Sequence, residues 1–253
     1  PHPPTRFFRS NMLNRKLSLS IGCVLMAFVA RSLTFAQQSY VGRYDVYAGF
    51  TDFNTPALGL NQIGAHTQGG VVLRRWLSLG VDYSVVQGSE VLKPDLLPAA
   101  LQQEIAPVIT QLVTAGVIPP GYRLIVPANV STQSFAAGPQ FAYRHFSKTT
   151  LYLRPSFGAF RLAATPRPKD PIAALITKTL IPAGYKVDWT GFYGLGGGAE
   201  LKFTRHIGIL PQIDLVYNHP FNDILAHGNW TMRYSIGPIF HFGKNVGSPV
   251  NHP

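Results

Sequence analysis

Residues 229–243 read NWTMRYSIGPIFHFG, and from Trp230 onward every second residue is apolar or aromatic. Side chains of an extended chain alternate between two faces. Trp230, Met232, Tyr234, Ile236, Pro238, Phe240 and Phe242 therefore share one face, and Thr231, Arg233, Ser235, Gly237, Ile239 and His241 share the other. The stretch is long for a strand of a soluble sandwich and is aromatic at both ends. This combination predicts a strand that crosses a lipid layer with its oily face outward and its polar face lining an interior.

Seven upstream segments repeat the pattern. Residues 41–51 set Tyr44, Val46, Ala48 and Phe50 against Asp45, Tyr47 and Gly49. Residues 67–74 and 77–87 form a tight hairpin about Arg75-Trp76. Short turns also join 132–144 to 150–163 and 189–203 to 207–217. The prediction is all-β: an eight-stranded antiparallel transmembrane barrel with long extracellular loops, two of them carrying short helices. Connections are read as alternating strictly between long and short, beginning with a Pro/Gly/Asn-rich loop that reaches His66. The short turns follow strands two, four and six, which puts both termini at the short-turn end, periplasmic in bacterial outer-membrane barrels. A barrel leaves no free edge, so the last strand must pair with the first near Tyr44. Pro139, Pro155, Pro211 and Pro238 lie inside these strands, which argues against central strands of an ordinary sheet.

The chain has 253 residues, 46% hydrophobic and 13% charged, with 24 glycines and 21 prolines, which suits one β domain with many turns. Its formal charge of +11 counts Arg6, Arg9, Arg15, Lys16 and Arg31; without these five, 17 of the 22 bases remain against 11 acids, or +6. That charge is spread over turns and strand interiors rather than gathered on one face, so nucleic acid is not an expected partner. Before Tyr40, a basic region at Arg15-Lys16, an apolar run over 17–30 and the small-residue end Thr34-Phe35-Ala36 read as a secretory signal peptide cleaved after Ala36. The run is too short for a spanning helix, which needs ~20 residues. The expected organisation is upstream residues and leader over 1–36, barrel over 37–243 and a periplasmic tail over 244–253. The single cysteine, Cys23, falls in the leader, so thiol and disulfide chemistry are excluded from the mature chain.

Two insertions interrupt the strands. Residues 95–115 carry Leu97, Leu101, Ile105, Val108, Ile109 and Leu112 at helical spacing, with Pro107 expected to kink the helix. Residues 171–180 repeat the stripe with Ile172, Leu175 and Ile176, after Asp170 as a cap. Both run into one phrase, Ile118-Pro119-Pro120-Gly121-Tyr122 and Ile181-Pro182-Ala183-Gly184-Tyr185. An apolar stripe cannot stand bare in water, so the insertions are expected to pack together as a lid over the outer mouth, with Leu112 facing Ile176 and matching turns ending at Tyr122 and Tyr185.

The whole mature chain resembles the eight-stranded outer-membrane barrel families, the transmembrane domain of outer membrane protein A and its smaller relatives. YDVYAGF, RRWLSLGVDYS, GPQFAYR, GGGAELKF, PQIDLVY and SIGPIFHF carry the resemblance. In the last, Ser235, Gly237, Phe240 and Phe242 match the polar, glycine, aromatic, aromatic spacing of the signal read by the barrel-assembly machinery. That signal usually ends the chain; here residues 243–253 follow it. The resemblance implies a barrel in outer-membrane lipid with the assembly machinery as a partner, and a monomer is expected. It carries no function across, because the same fold serves tethers, adhesins and enzymes.

The polar strand faces hold Asp45, Asp82, Glu200 and Asp214 against Arg144, Arg154, Lys202 and Arg233. Eight strands leave a lumen just wide enough for side chains, so these charges are expected to pair and plug it, Arg154 with Glu200 and Asp214 with Arg233. Gly194 to Gly198 lie within one strand, where small residues admit bulky neighbours. No catalytic residue, metal ligand or cofactor is assigned. His219, Asp223 and His227 have metal-like spacing, but Pro220 and Gly228 break the run, which reads as a solvated loop. His145-Phe146-Ser147 is similar to the His-x-Ser of an outer-membrane lipid A deacylase, yet it lacks the following Asn and falls on a periplasmic turn. The expected function is non-enzymatic, structural or interactive through the outer loops; the alternatives are a small pore or uptake channel and a lipid-modifying enzyme.

Overall fold

A computed structural model describes residues 38–122 and 124–246, so the expected leader and most of the tail lie outside the described residues. The strands are β1 (Gly42–Thr55), β2 (Leu60–Arg74), β3 (Leu77–Leu92), β4 (Val126–Tyr143), β5 (Thr149–Pro166), β6 (Lys186–Lys202), β7 (Ile207–Asn218) and β8 (Asn229–Asn245). They form a closed barrel in sequence order, each antiparallel to its neighbours. β8 returns to β1 with Tyr44 opposite Phe242. Partners followed from Val46 through Gly69, Val81, Ala137, Phe157, Tyr193 and Tyr217 arrive at Trp230, beside the far end of β1. The strands therefore climb steeply around the axis, as barrel strands tilted by roughly 35–45° do.

Every strand obeys the in/out alternation, which β8 shows most cleanly: Asn229, Thr231, Arg233, Ser235, Ile239 and His241 are buried, while Trp230, Met232, Tyr234, Ile236, Phe240 and Phe242 are exposed. The exposed face of the whole barrel is apolar, with aliphatic residues such as Val81, Leu153, Leu195, Ile213 and Ile236 between two aromatic belts. At the short-turn end stand Tyr44 against Phe242 and Trp76 against Phe141, ring centroids 5.6 and 6.2 Å apart. At the other end Tyr83, Phe135 and Trp189 adjoin in series, as do Tyr193, Tyr217 and Trp230. An apolar band closed on itself between aromatic girdles is stable only in a bilayer. No helix among the described residues is long and apolar enough to cross a membrane.

Pro139, Pro155, Pro211 and Pro238 all face outward and coincide with breaks in the ladders. Pairing of β4 with β5 runs up to Ala137↔Phe157 and resumes at Phe141↔Leu153; Pro139 and Pro155 sit opposite each other inside that interval. Two missing donors thus share one interruption, while Pro139 keeps Leu79 and Pro155 keeps Leu195 on their other sides. Pro211 and Pro238 sit in similar intervals of the β6/β7 and β1/β8 ladders.

Two expectations about connections need correction. The β1–β2 link is not a long loop to His66 but the tight turn 56–59, with Gly59 at φ 66 and Leu58 N donating to Thr55 O at 3.1 Å. The strands around the second and third connections also run further than expected, to Leu92, from Val126 and to Pro166. Residues 60–66 keep the alternation, with Ile63 outward against Gln62 and His66, but the Pro, Gly and Asn residues before them mask it; for the longer strands around the second and third connections the reason is the end of the lipid band. Beyond the upper belt no lipid demands an apolar outer face, and Gln87, Ser89, Gln133 and Thr165 stand there, so the alternation that marks a lipid-crossing strand fades while the strand continues.

Candidate functional site: a filled lumen beneath a helical cap

The lumen is packed in three layers. Nearest the short turns, the buried Glu200 accepts from Tyr152 OH at 2.6 Å and pairs with His241 Nε2 at 2.5 Å. Arg144 Nη1 donates to Thr150 Oγ1 at 3.2 Å, and its guanidinium lies 5.8 Å from the Tyr152 ring centre. Gln38 closes this end from outside: its Nε2 donates to Phe146 O, Thr149 O and Thr150 Oγ1 at 3.0–3.1 Å, and Lys202 Nζ reaches its Oε1 at 2.8 Å. Arg75 Nη2 holds the Gln38 carbonyl at 2.7 Å.

The middle layer is a closed ring of alternating charge. Arg154 bridges Asp82 at 3.0 Å and Asp214 at 3.1 Å; Arg233 bridges Asp214 at 2.8 Å and Asp82 at 3.2 Å. Two carboxylates balance two guanidiniums, and all four are buried. Gly196 makes room, since a Cβ there would lie 1.7 Å from Asp214 Oδ1. Polar residues surround the ring, including Gln68 donating to Gln140 at 3.0 Å and Ser235 bonded to Thr51 at 2.8 Å.

Asp214 and Arg233 lie directly opposite across β7 and β8. Arg154 does not pair with Glu200. The register puts Arg154 opposite Gly196 and Glu200 opposite Thr150, so Glu200 lies one layer lower and takes Tyr152 and His241 instead. The long Arg154 side chain passes over Gly196 to the two aspartates. His241 stands on the polar face of β8 but is not counted among the formal charges there; His66, buried beside Asp82, lies in the part of β2 whose sequence reads as loop.

The third layer is apolar. Phe53, Val86, Phe160, Phe192 and Val216 point inward from five strands, with Phe160 stacked on Phe192 at 4.3 Å. Leu97, Phe221, Ile224 and Leu225 enter the same cluster from the second and fourth loops. Singly, these inward apolar residues read as ordinary departures from polar alternation, and only the closed register brings them together as a seal.

Above it stand α1 (Ala99–Thr114), running through Pro107, and α2 (Pro171–Leu180). Ala173 and Ile176 of α2 pack with Leu124 and Val126, and Ile105 and Ile109 of α1 lie against that cluster. Asp170 caps α2 by accepting from Ala173 N at 2.8 Å, and the same Oδ1 accepts from Tyr122 OH at 2.9 Å. Partial burial, with the Asp170 carboxylate beside it, pushes the Tyr122 hydroxyl up to about 12. α1 stops at Gly116, φ 71, where Val117 N returns to Leu112 O at 2.9 Å and Gly116 N to Val113 O at 3.0 Å.

The matching phrases fold differently. Tyr122 N closes a turn on Pro119 O at 3.2 Å, whereas Gly184 N closes one on Ile181 O at 3.0 Å, one position earlier in the phrase. Ile118 is buried and Ile181 packs on the lumen seal, yet Tyr185 is 59% exposed and joins no cap contact cluster. Leu112 is half-buried and lies outside the cluster holding Ile176; Ile105 and Ile109 pack against that cluster instead. The fourth loop is tied down through Lys186 with Asp223 and through Phe221 N with Asp188, and His219 bonds Leu225 O. Among the described residues no group of three His, Cys, Asp or Glu is placed to hold a metal.

Ser235 and Gly237 of the SIGPIFHF segment face the lumen and Phe240 and Phe242 face outward. These features define a closed eight-stranded membrane barrel with a filled interior. No protein-family model and no curated protein matches the chain. Among solved structures it is similar to Neisserial surface protein A, at 11% identity and a TM-score of 0.49, covering 79% of this chain and 96% of that one. It is likewise similar to Ail, the attachment invasion locus protein of Yersinia pestis, at 12% identity and 0.45, covering 79% and 99%. OprG, an outer membrane protein of Pseudomonas aeruginosa, matches at 9% and 0.44, covering 82% and 99%. The fold itself rests on the closed register.

Proposed function

We propose that this is a non-enzymatic bacterial outer-membrane protein whose barrel is an anchor and whose cap of α1, α2 and the fourth loop is an interaction surface, with the short turns and both termini periplasmic. The observation that carries this reading is the apolar seal: loop residues Leu97, Phe221, Ile224 and Leu225 are built into the lumen itself, so loops and plug form one body. An ion would have to pass that seal, the charge ring and the Gln38 closure in series. A mobile gate would need loops separable from the wall, and here that separation exposes the apolar cluster. The nearest thing to an acid–base constellation, Tyr152, Glu200 and His241, is fully engaged with itself and buried. The rim of β3 to β6 rises above the belt and lifts the cap clear of lipid, where binding residues on positioned loops find partners. Assembly through Ser235, Gly237, Phe240 and Phe242 by the barrel-assembly machinery belongs to the same reading.

The test is planar-bilayer recording on the refolded mature chain. Silence at ±100 mV is expected, with brief small events at most; stable, uniform open channels would replace the anchor with the pore. Mass spectrometry of lipid A from expressing cells should show no new species.

A further inference from the structure

The short-turn end of the barrel carries a collar of cations with no exposed acid. Arg74, Lys148, Arg205 and Lys244 are exposed there, and Arg43 and Arg75 half-buried. Of the chain's 11 acids, only Asp45 and Glu200 lie near this end, and both are buried inside the lumen. Among the described residues no ion pair engages any of the six cations. The loop end differs, for Asp95, Glu104, Asp170, Asp188 and Asp223 are interspersed there with its bases.

Two placements narrow what the collar meets. First, Arg43 adjoins Tyr44, Arg75 adjoins Trp76, and Arg205 and Lys244 each follow a belt aromatic, Phe203 and Phe242, by two residues. Belt aromatics sit at the level of lipid headgroups, so these cations sit there too. Second, the cations come from the β1/β8 seam and from the three turns at this end, β2–β3, β4–β5 and β6–β7, so they surround the barrel. A docked protein or a wall polymer would occupy one side; an annulus of lipid occupies every side. We propose that this collar binds the phosphates of anionic glycerophospholipids around the barrel's short-turn rim. The binding chemistry stands without the orientation given above; only the identity of the leaflet, the periplasmic one, rests on it.

The probe is phosphatidylglycerol. The refolded mature chain in detergent micelles doped with equal phosphatidylglycerol and phosphatidylcholine is examined by native mass spectrometry for retained lipid. Phosphatidylglycerol should be retained at least about tenfold over phosphatidylcholine at low salt, since each surface cation near a headgroup contributes on the order of a fivefold preference. The variant R43Q/R74Q/K148Q/R205Q/K244Q should fall towards parity, while K93Q/K169Q/K178Q at the loop end should not. An unheated gel shift verifies that each variant is folded. Should the collar variant fail to fold, salt titration of the native chain decides: the preference must collapse as salt shortens the screening length, and persistence would overturn the proposal. No preference in the native chain, an equal loss in the loop-end variant, or retention of polyglutamate but not lipid would each overturn it as well, the last pointing to an acidic polymer.

Discussion

Replacing Arg233 with methionine keeps an unbranched stem reaching about as far as Nε and removes the charge from the middle of the barrel. Asp82 and Asp214 would then share Arg154 alone, leaving a net negative charge at a site where Arg233 is 2% exposed. The lost interactions are Nε to Asp214 at 2.8 Å and Nη1 and Nη2 to Asp82 at 3.2 and 3.3 Å. The guanidinium also lies 5.8 Å from the Phe53 ring centre, tying the ring to the apolar seal above. Bonds to charged groups contribute ~1.5–3 kcal/mol each before desolvation is recovered, and stranding one buried partner costs ~3–5 kcal/mol net. R233M should therefore destabilise the barrel by about 4 kcal/mol. Adding D214N restores neutrality with the Asp82 to Arg154 pair intact, so the double variant should recover about 2 kcal/mol, within the usual range for residues in one network. Urea unfolding from lipid vesicles can be followed by tryptophan fluorescence, because Trp76, Trp189 and Trp230 all lie on the outer face. A change under about 1 kcal/mol for R233M, or a double variant less stable than the single one, would show that the ring does not hold the lumen as described.

Arginine at Ile236, in the aliphatic band of β8, should cost ~2–4 kcal/mol and suppress folding into vesicles, read as loss of the heat-shifted gel band. Cysteines at Ile109 and Ile176 should join through a short bis-maleimide on intact cells, whereas Leu112 with Ile176 should join poorly; the reverse order would refute the described cap. Tyr122→Phe should leave the barrel transition unchanged but speed proteolysis of the second and third loops, and Asp170→Ala should do so more, since it also removes the α2 cap at ~1 kcal/mol. Because the Tyr122 hydroxyl is pushed up to about 12 in the folded cap, its contribution is complete below about 10, the ordinary tyrosine value, and lost as pH rises through 12. Protease resistance should fall over that interval in the native chain and stay flat in Tyr122→Phe.

Strand identity was legible wherever lipid imposes alternation, which is why residues 229–243 could be read without ambiguity. It failed for residues 126–131, which are strand but stand beyond the lipid-facing band, and for residues 60–66, where Ile63 still faces outward but the Pro, Gly and Asn residues before it read as loop. The inward charges were legible as a set, because parity alone assigns them to the lumen. Their partners were not: Arg154 reaches across the lumen rather than along the wall, and the direction of a long side chain depends on where Gly196 leaves space. The four prolines looked anomalous one by one and become ordinary once Pro139 faces Pro155, a fact about register that no single strand contains. The repeated Ile-Pro-x-Gly-Tyr phrase foretold two glycine turns, Gly121 and Gly184 both at positive φ. It did not foretell the fate of its tyrosines, which is decided by whether an acceptor such as Asp170 is within reach.

The seam between β1 and β8 has a consequence for the order in which the molecule can come into being. Tyr40 OH bonds Gly243 O, Val41 N bonds Asn245 and Asn245 bonds Ser39 O, contacts separated by 203, 204 and 206 residues in the chain. Gln38 then reaches the β4–β5 turn, 108 to 112 residues away. Neighbouring hairpins can zip early through local contacts, but the seam contacts must wait for nearly the whole chain, the slowest kind of closure. Until it happens β1 and β8 are two naked edges, the state most prone to pair with a stranger. The floor laid by Gln38 joins the chain just before β1 to the β4–β5 turn and to Lys202, so this one side chain reports that distant parts of the wall have met.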